Sequence, residues 1–193
     1  MSKRALIFGT VLLAVAGSPL AIARTTARYL PAKIVEERTF PVARTSWYSV
    51  INFRNDWGAP RMRFEKGRWR QTGVHEGVDI YAEPGTPIRS ITGGRIENLG
   101  WTFYSGWRVG VRGDDGRYWF YAHMQRFAPA LSEGQRVEAG TPLGEVGNTG
   151  YGEIPGHADE FSPHLHLGIQ EGNGDWSNPY PLLRDLYRVA TSS

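Results

Sequence analysis

Four of the five histidines in this 193-residue chain sit in settings that could do chemistry. They are His75, in GVHEGVDI with Asp79; His123, in YAHM; and His164 and His166, in PHLHLGI. The fifth, His157, has no such frame. Strand side chains alternate between faces, so His164 and His166 would project together while Leu165 and Leu167 face the core. His75 and Asp79 are four apart and also share a face in an extended segment, although Gly77 could bend the chain between them. Two imidazoles and one carboxylate make a common zinc set that leaves the fourth position for water. Each motif alone has a structural reading: a half-exposed His-x-His pair, or a packed His123 beside Tyr121 with its ring nitrogen satisfied. Their concentration in one chain is what points to a metal site. The chain has no cysteine, which excludes a disulfide framework, thiolate metal ligands and a cysteine nucleophile.

The elements that must hold these residues read as strands. Glycine and proline total 36 residues while aromatics reach 12%, a turn-rich rather than disordered composition. From Trp47 onward, short apolar runs punctuated by glycine and proline predict an all-β, antiparallel hairpin domain. Arg108–Val111 and Tyr118–Ala122 flank GDDGR, whose Asp115-Gly116 step predicts a hairpin. Only PYPLLRDLYRVA looks helical, with Leu182, Leu183, Leu186 and Val189 near one face. EPGTPIRSI at 83–91 is echoed by EAGTPLGEV at 138–146, as two related turn-and-strand units packed together would be. Trp101, Tyr104, Trp107 and Trp119 could line a groove, but strand aromatics more often belong to a core, and they are left out of the site.

Residues 1–23 read as a secretory signal peptide: Lys3 and Arg4, an apolar run from Ala5 to Ala16, then Ala21-Ile22-Ala23 as the cleavage site. Pro19 and the small residues argue against the rival, an uncleaved anchor helix. The expected protein is therefore exported, periplasmic or secreted, with no stable membrane span after cleavage. Removing Lys3 and Arg4 leaves 20 basic against 19 acidic residues, so most of the formal charge of +3 disappears. Residues 24–46 read as a basic leader or linker able to add one edge strand or a short helix. Residues 24–72 carry +7 and the remainder −6. A basic leader suits an anionic polymer or a solvated arginine-rich face, and no nucleic-acid motif accompanies it.

In their order along the chain, GVHEGVDI, PGTPI, YAHM, GQRVEAGTPLGEVGNTG and PHLHLGI resemble the M23 family of zinc metallopeptidases, the lysostaphin and LytM-like group. WGAPR at 57–61 also resembles the segment that opens many such domains. The resemblance places the domain at 47–190 and implies a duplicated hybrid motif of antiparallel strands, to which the residue pattern adds the short C-terminal helix. It implies one Zn2+ per chain held by His75, Asp79 and His166, with His123 and His164 as catalytic histidines that are not ligands. The implied activity is hydrolysis of peptide bonds in bacterial peptidoglycan stem peptides or cross-links. His164 is expected to take a proton from water and His123 to hydrogen-bond the developing oxyanion or steer the water, with the division of labour left open. Neutral imidazoles are required, so activity is expected to fall below about pH 6.

One departure stands out. Twelve residues, YGEIPGHADEFS at 151–162, fill a gap that is usually short in the family. They lead into the site strand and either shape substrate choice or form a solvated insertion. A carrier domain of the biotinyl or lipoyl kind fails for lack of a lysine near GQRVEAGTPLGEVG. The remaining alternative is a non-catalytic peptidoglycan-binding protein or an activator of another hydrolase. The sequence sets no oligomeric state.

Overall fold

Alternating apolar residues and turn chemistry decide where the chain runs straight and where it reverses. The computed structural model describes residues 38–45 and 50–192. The expected signal peptide at 1–23 and most of the expected leader lie outside the described residues. The elements are β1 (Asn52–Phe53), β2 (Pro60–Glu65), β3 (Arg68–Val74), β4 (Val78–Tyr81), β5 (Pro87–Arg89) and β6 (Gly94–Thr102). They continue with β7 (Gly106–Gly113), β8 (Tyr118–Phe127), β9 (Arg136–Val137), β10 (Pro142–Val146), β11 (His164–Gln170), β12 (Trp176–Ser177) and α1 (Tyr180–Thr191).

Ten strands form one antiparallel sheet whose main path is β1-β4-β11-β8-β7-β6-β9; β10 joins β5 to β8, and β12 pairs with β11. β2 and β3 make a separate hairpin. The all-β, antiparallel expectation holds, and so does the β7–β8 hairpin. Its turn is closed by Gly113 N–H to Arg117 C=O at 2.8 Å, and the Asp115 carboxylate accepts from Arg117 N–H at 3.0 Å. The β2–β3 turn is built on Lys66 and Gly67, both at positive φ (50° and 78°), as a two-residue type I′ reversal requires.

Period-two burial fills the core. Leu165 and Leu167 of β11, Ile80 of β4, and Trp119 and Tyr121 of β8 are all fully buried. Each such side chain contributes about 1.5–3 kcal/mol by leaving water. The buried Tyr121 hydroxyl is satisfied by the Ile91 N–H at 2.9 Å. Helix α1 lays Leu183 into this core, with Leu182, Leu186 and Tyr187 partly covered. Val189 instead faces solvent at 70% exposure, because the buried stripe follows Tyr180, Leu183 and Tyr187.

The echoed segments pack against each other, β5 antiparallel to β10. Their turns are alike: Gly85 and Gly140 adopt φ 81° and 85°, and the following threonines donate N–H to Glu83 and Glu138 C=O at 3.1 Å each. The bonds between the two units are reciprocal. Gly85 N–H reaches Val146 C=O and Gly140 N–H reaches Ser90 C=O, at 2.9 and 2.8 Å. Ile88 and Leu143 hold equivalent, fully buried positions.

The described end of the leader is part of the fold. Val42 bridges Ile88, Arg89 N–H donates to Pro41 C=O at 2.7 Å, and Phe40 and Val42 are buried. Phe40, Phe53 and Tyr187 pack in tilted and edge-on contacts with ring centroids 5.1–5.6 Å apart, tying this segment and β1 to the helix.

Candidate metal centre and catalytic cleft

Strand pairing lays out the site in rows. β11 runs between β4 and β8, with His166 opposite Asp79 on one side and Ala122 on the other, and with His164 opposite Tyr81. Alternation then puts Asp79, Tyr81, His164 and His166 on one face. His75 enters from the segment before β4, its N–H bonded to Ala59 C=O at 2.8 Å. Gly77 permits the close approach: a Cβ there would lie 2.5 Å from the His166 ring and 2.6 Å from Leu167 C=O.

Three acceptor atoms converge. His75 Nε2 is 2.9 Å from His166 Nδ1, and Asp79 Oδ1 is 3.0 Å from each. These residues are largely buried, His75 at 2% and Asp79 at 6% exposure. His75 Nδ1 lies 3.1 Å from Asp56 C=O, and since a carbonyl only accepts, the proton sits on Nδ1 and Nε2 offers its lone pair. Three acceptors crowded in a buried site repel one another unless a cation lies among them. Tetrahedral zinc with ligands at about 2.0–2.1 Å sets donor atoms about 3.3 Å apart. The observed separations are close to that, so the donor set fits zinc in type, number and spacing.

His123 reaches this face through an irregularity. On β8, Trp119 and Tyr121 point into the core while Phe120 and Ala122 line the cleft. Strict alternation would bury His123 next. Instead Trp107 pairs with Met124 while Val109 pairs with Tyr121, so one extra β8 residue is accommodated and Met124 takes the core position. His123 adopts φ 62°, a left-handed conformation that costs a non-glycine residue about 1–3 kcal/mol. Its N–H is held by Ser105 C=O at 2.8 Å.

His123 and His164 carry matching supports. His123 Nδ1 lies 2.7 Å from Thr149 C=O and His164 Nδ1 lies 2.8 Å from Ser162 C=O, so each ring presents an unprotonated Nε2. Their centroids are 4.9 Å apart, and His164 Nε2 is 3.7 Å from Asp79 Oδ1. Burial above all, reinforced by His164 and His166, pushes the His123 pKa down to about 3. Burial also lowers His166, against the opposing pull of Asp79. Burial alone would raise Asp79, but the His166 and His75 rings against the carboxylate outweigh it when a shared proton takes the place of a cation among the three groups, and they then hold the carboxyl well below the usual range. The general fall of activity below about pH 6 expected of unperturbed histidines therefore does not apply to His123, which burial keeps neutral far below that.

The five sequence-predicted residues are thus brought together. His157 stands apart, exposed in the 151–162 segment. That segment is not merely solvated: Tyr151 lies parallel to the His123 ring (centroids 6.2 Å, 11°), and Phe161 meets its edge at 5.0 Å. Of the weighed aromatics, Trp119 is fully buried, whereas Tyr104 is 54% exposed and lines the cleft. Arg61, Tyr81 and Asp56 escaped the sequence reading. Arg61 Nη2 lies 3.7 Å from Asp79 Oδ2, Tyr81 packs 5.3 Å from His164, and Asp56 supports His75. The signal available was WGAPR itself, which ends on Arg61 and directly follows Asp56.

Comparison with known proteins follows this geometry. The model of Peptidase family M23 matches residues 73–179. The L-Ala–D-Glu endopeptidase of Bacillus subtilis is 42% identical over 151 residues, covering 77% of this chain and 43% of the relative. Among solved structures, LytM of Ruminococcus gnavus matches at 36% identity with a TM-score of 0.67, over 79% of this chain and 61% of that one. The catalytic domain of lysostaphin from Staphylococcus simulans matches at 28% identity and TM-score 0.52, over 69% of this chain and 92% of that domain. The chain spans less than half the length of the Bacillus endopeptidase and of the glycyl-glycine endopeptidase ALE-1 of Staphylococcus capitis, which is 38% identical over 58% of this chain and 30% of its own length.

Proposed function

This chain belongs to peptidase family M23, and on that premise we propose that it is an exported zinc metalloendopeptidase that hydrolyses peptide bonds of bacterial peptidoglycan. The observation that carries this reading is the convergence of His75 Nε2, Asp79 Oδ1 and His166 Nδ1 within 3.0 Å of one another, beside two imidazoles with free Nε2 atoms. The names of the relatives, which are endopeptidases, support it.

Zinc held by His75, Asp79 and His166 would supply Lewis acidity and a water of lowered pKa at the cleft. The remaining steps belong to the chain. His164 Nε2, next to Asp79, takes the proton of the attacking water as general base. Its Nδ1–H bond to Ser162 C=O fixes the ring and stabilises the imidazolium that forms. Once protonated, it is the donor that returns the proton to the leaving amine. His123 is also an acceptor before reaction, because its only proton is committed to Thr149 C=O and burial keeps it neutral. It therefore steers the water through Nε2, and it hydrogen-bonds a developing oxyanion only after acquiring a proton. Of the two roles open to His123 in the sequence, steering is the one this tautomer favours.

The test is digestion of purified peptidoglycan with and without chelator, with mass spectrometry of the products. New amine ends that disappear with chelator are expected. His166→Ala should lose zinc and hydrolysis together, and His123→Ala should keep zinc while losing hydrolysis. Release of no chelator-sensitive ends by zinc-loaded wild type would leave a wall-binding or activating role in its place.

A further inference from the structure

The cleft continues past the histidines along the β1/β4 side. One pocket of about 310 Å3 is bounded by Arg61, Tyr81, His164 and the 151–162 segment. Through Tyr81 it meets a second, of about 320 Å3, formed by Asn52, Phe53 and Arg54. The pairing of Asn52 with Tyr81 and of Tyr81 with His164 makes this a continuous row across β1, β4 and β11. Arg61 lines the first pocket and Arg54 the second, so each guanidinium shares a pocket wall with Tyr81.

Neither guanidinium donates a hydrogen bond to a described residue. Arg54 is exposed and makes no ion pair among the described residues. Arg61 is 46% exposed, and its nearest acid is Asp79 Oδ2 at 3.7 Å, beyond hydrogen-bond distance. The acids facing this space are few. Asp79 is committed to the metal set, and Asp159 on the opposite wall has Oδ1 occupied by the Glu160 N–H at 2.7 Å. Glu76 lines the neighbouring pocket together with Arg61, and the Asp56 carboxylate, two residues from Arg54, lies 3.5 Å from the His75 ring. Two arginines with unused planar donors beside one aromatic ring present the geometry that pairs with a carboxylate.

We propose that Arg54 and Arg61 form a carboxylate-binding subsite beside His164, which makes the preferred substrate a peptide with a free carboxylate close to the scissile bond rather than a neutral, glycine-type peptide. The proposal rests on the peptidase reading and names its substrate class. The carboxylate comes either from an acidic side chain or from a chain terminus, and the recognition chemistry is the same.

Three wall-type peptides separate these cases: the free acid, its side-chain amide and its C-terminal amide. Zinc-loaded wild type should show kcat/KM about tenfold or more higher for the acid, as expected when a charged hydrogen-bonded pair is lost. The amide that loses the advantage identifies the source. Arg54→Gln, at an exposed position outside the metal set, should cut the preference several-fold while leaving cleavage of the disfavoured amide within about threefold, and Arg54→Gln/Arg61→Gln should abolish the preference, read as the ratio of acid to amide within that variant. Binding of the same peptides to zinc-loaded His123→Ala protein, measured by calorimetry, should show the same ranking and lose it at high salt. Equal treatment of all three peptides by wild type, or a preference surviving in the double variant, overturns the subsite and leaves the peptidase reading intact. Preferential binding of the acid without cleavage of any peptide by wild type keeps the subsite and removes the peptidase reading.

Discussion

Gly77→Ala probes the metal set without touching a ligand. A Cβ at this position would lie 2.5 Å from His166 Cε1, 2.6 Å from Nε2 and 2.6 Å from Leu167 C=O. Unstrained carbon contacts run at about 3.5–4.0 Å, so the ring or the β4–β11 pair must give by about 1 Å. Metal–ligand distances tolerate about 0.2 Å, so a displacement of that size takes His166 Nδ1 out of its set with His75 and Asp79. The expected result is a zinc affinity lower by at least about 10–100-fold, the loss typical when the support of a ligand is disturbed. A folding cost of about 1–3 kcal/mol should accompany it, the usual penalty of overpacking. Gly172 has nothing within 4 Å of its would-be Cβ, so Gly172→Ala is the control, expected within about 0.5 kcal/mol of wild type. Competition with a chromophoric chelator gives the affinity, and urea unfolding in chelator gives the stability free of metal linkage. Wild-type zinc affinity in well-folded Gly77→Ala protein would refute the placement of His166 in the metal set.

Two further outcomes are expected. His123 keeps its neutral form down to about pH 3 when folded, while an unfolded histidine takes up a proton near 6.5. Between those values the unfolded state binds more protons, so the stability of chelated protein should decline as pH falls below 6.5. Below the unfolded carboxylate range, the depressed Asp79 adds a loss of the same sign. Thermal unfolding across this range should show the decline, with a shallower slope in His123→Ala protein; equal slopes would contradict the burial argument. Leu183→Ala should cost about 2–5 kcal/mol in urea unfolding, because the side chain is fully buried where α1 docks. A cost below about 1 kcal/mol would mean that α1 is not docked through Leu183.

Local rules carried the sequence reading wherever the structure obeys them. The Asp115-Gly116 step did locate the β7–β8 reversal, and His-x-His alternation did put His164 and His166 on one face with Leu165 and Leu167 beneath. The echoed Gly-Thr-Pro units did turn out to pack together. What stayed hidden depends on non-local geometry. YAHM gives no sign of the extra β8 residue that turns His123 out of the core, because a bulge is defined by its partner strand. The basic balance of 24–72 reads as an anionic-polymer contact or a solvated arginine-rich face, whereas pairing of β2 with β3 sets Arg63 beside Arg70 and Phe64 beside Trp69, and Arg61 lies 3.7 Å from Asp79. Val189 fell on the predicted helical face but outside the buried stripe, since a period alone does not fix where the core begins. The 151–162 segment had no pattern of its own, and its ends matter only because the fold lays Tyr151 and Phe161 against His123.

The rows of the site also constrain the order in which the molecule can become active. His75 and His166 are 91 residues apart in sequence, yet their ring nitrogens lie 2.9 Å from each other. Such a contact has a high loop-closure entropy and is made only where β4 and β11 are paired. A nascent or unfolded chain that already includes His166 carries the same histidines but no assembled ligand set, and one ending before β11 lacks His164 and His166 altogether. Metal capture on the proposed reading is therefore a late event, reserved for the completed fold. The captured ion then acts as a cross-link between the two ends of the domain, so activity and resistance to unfolding are acquired in the same step.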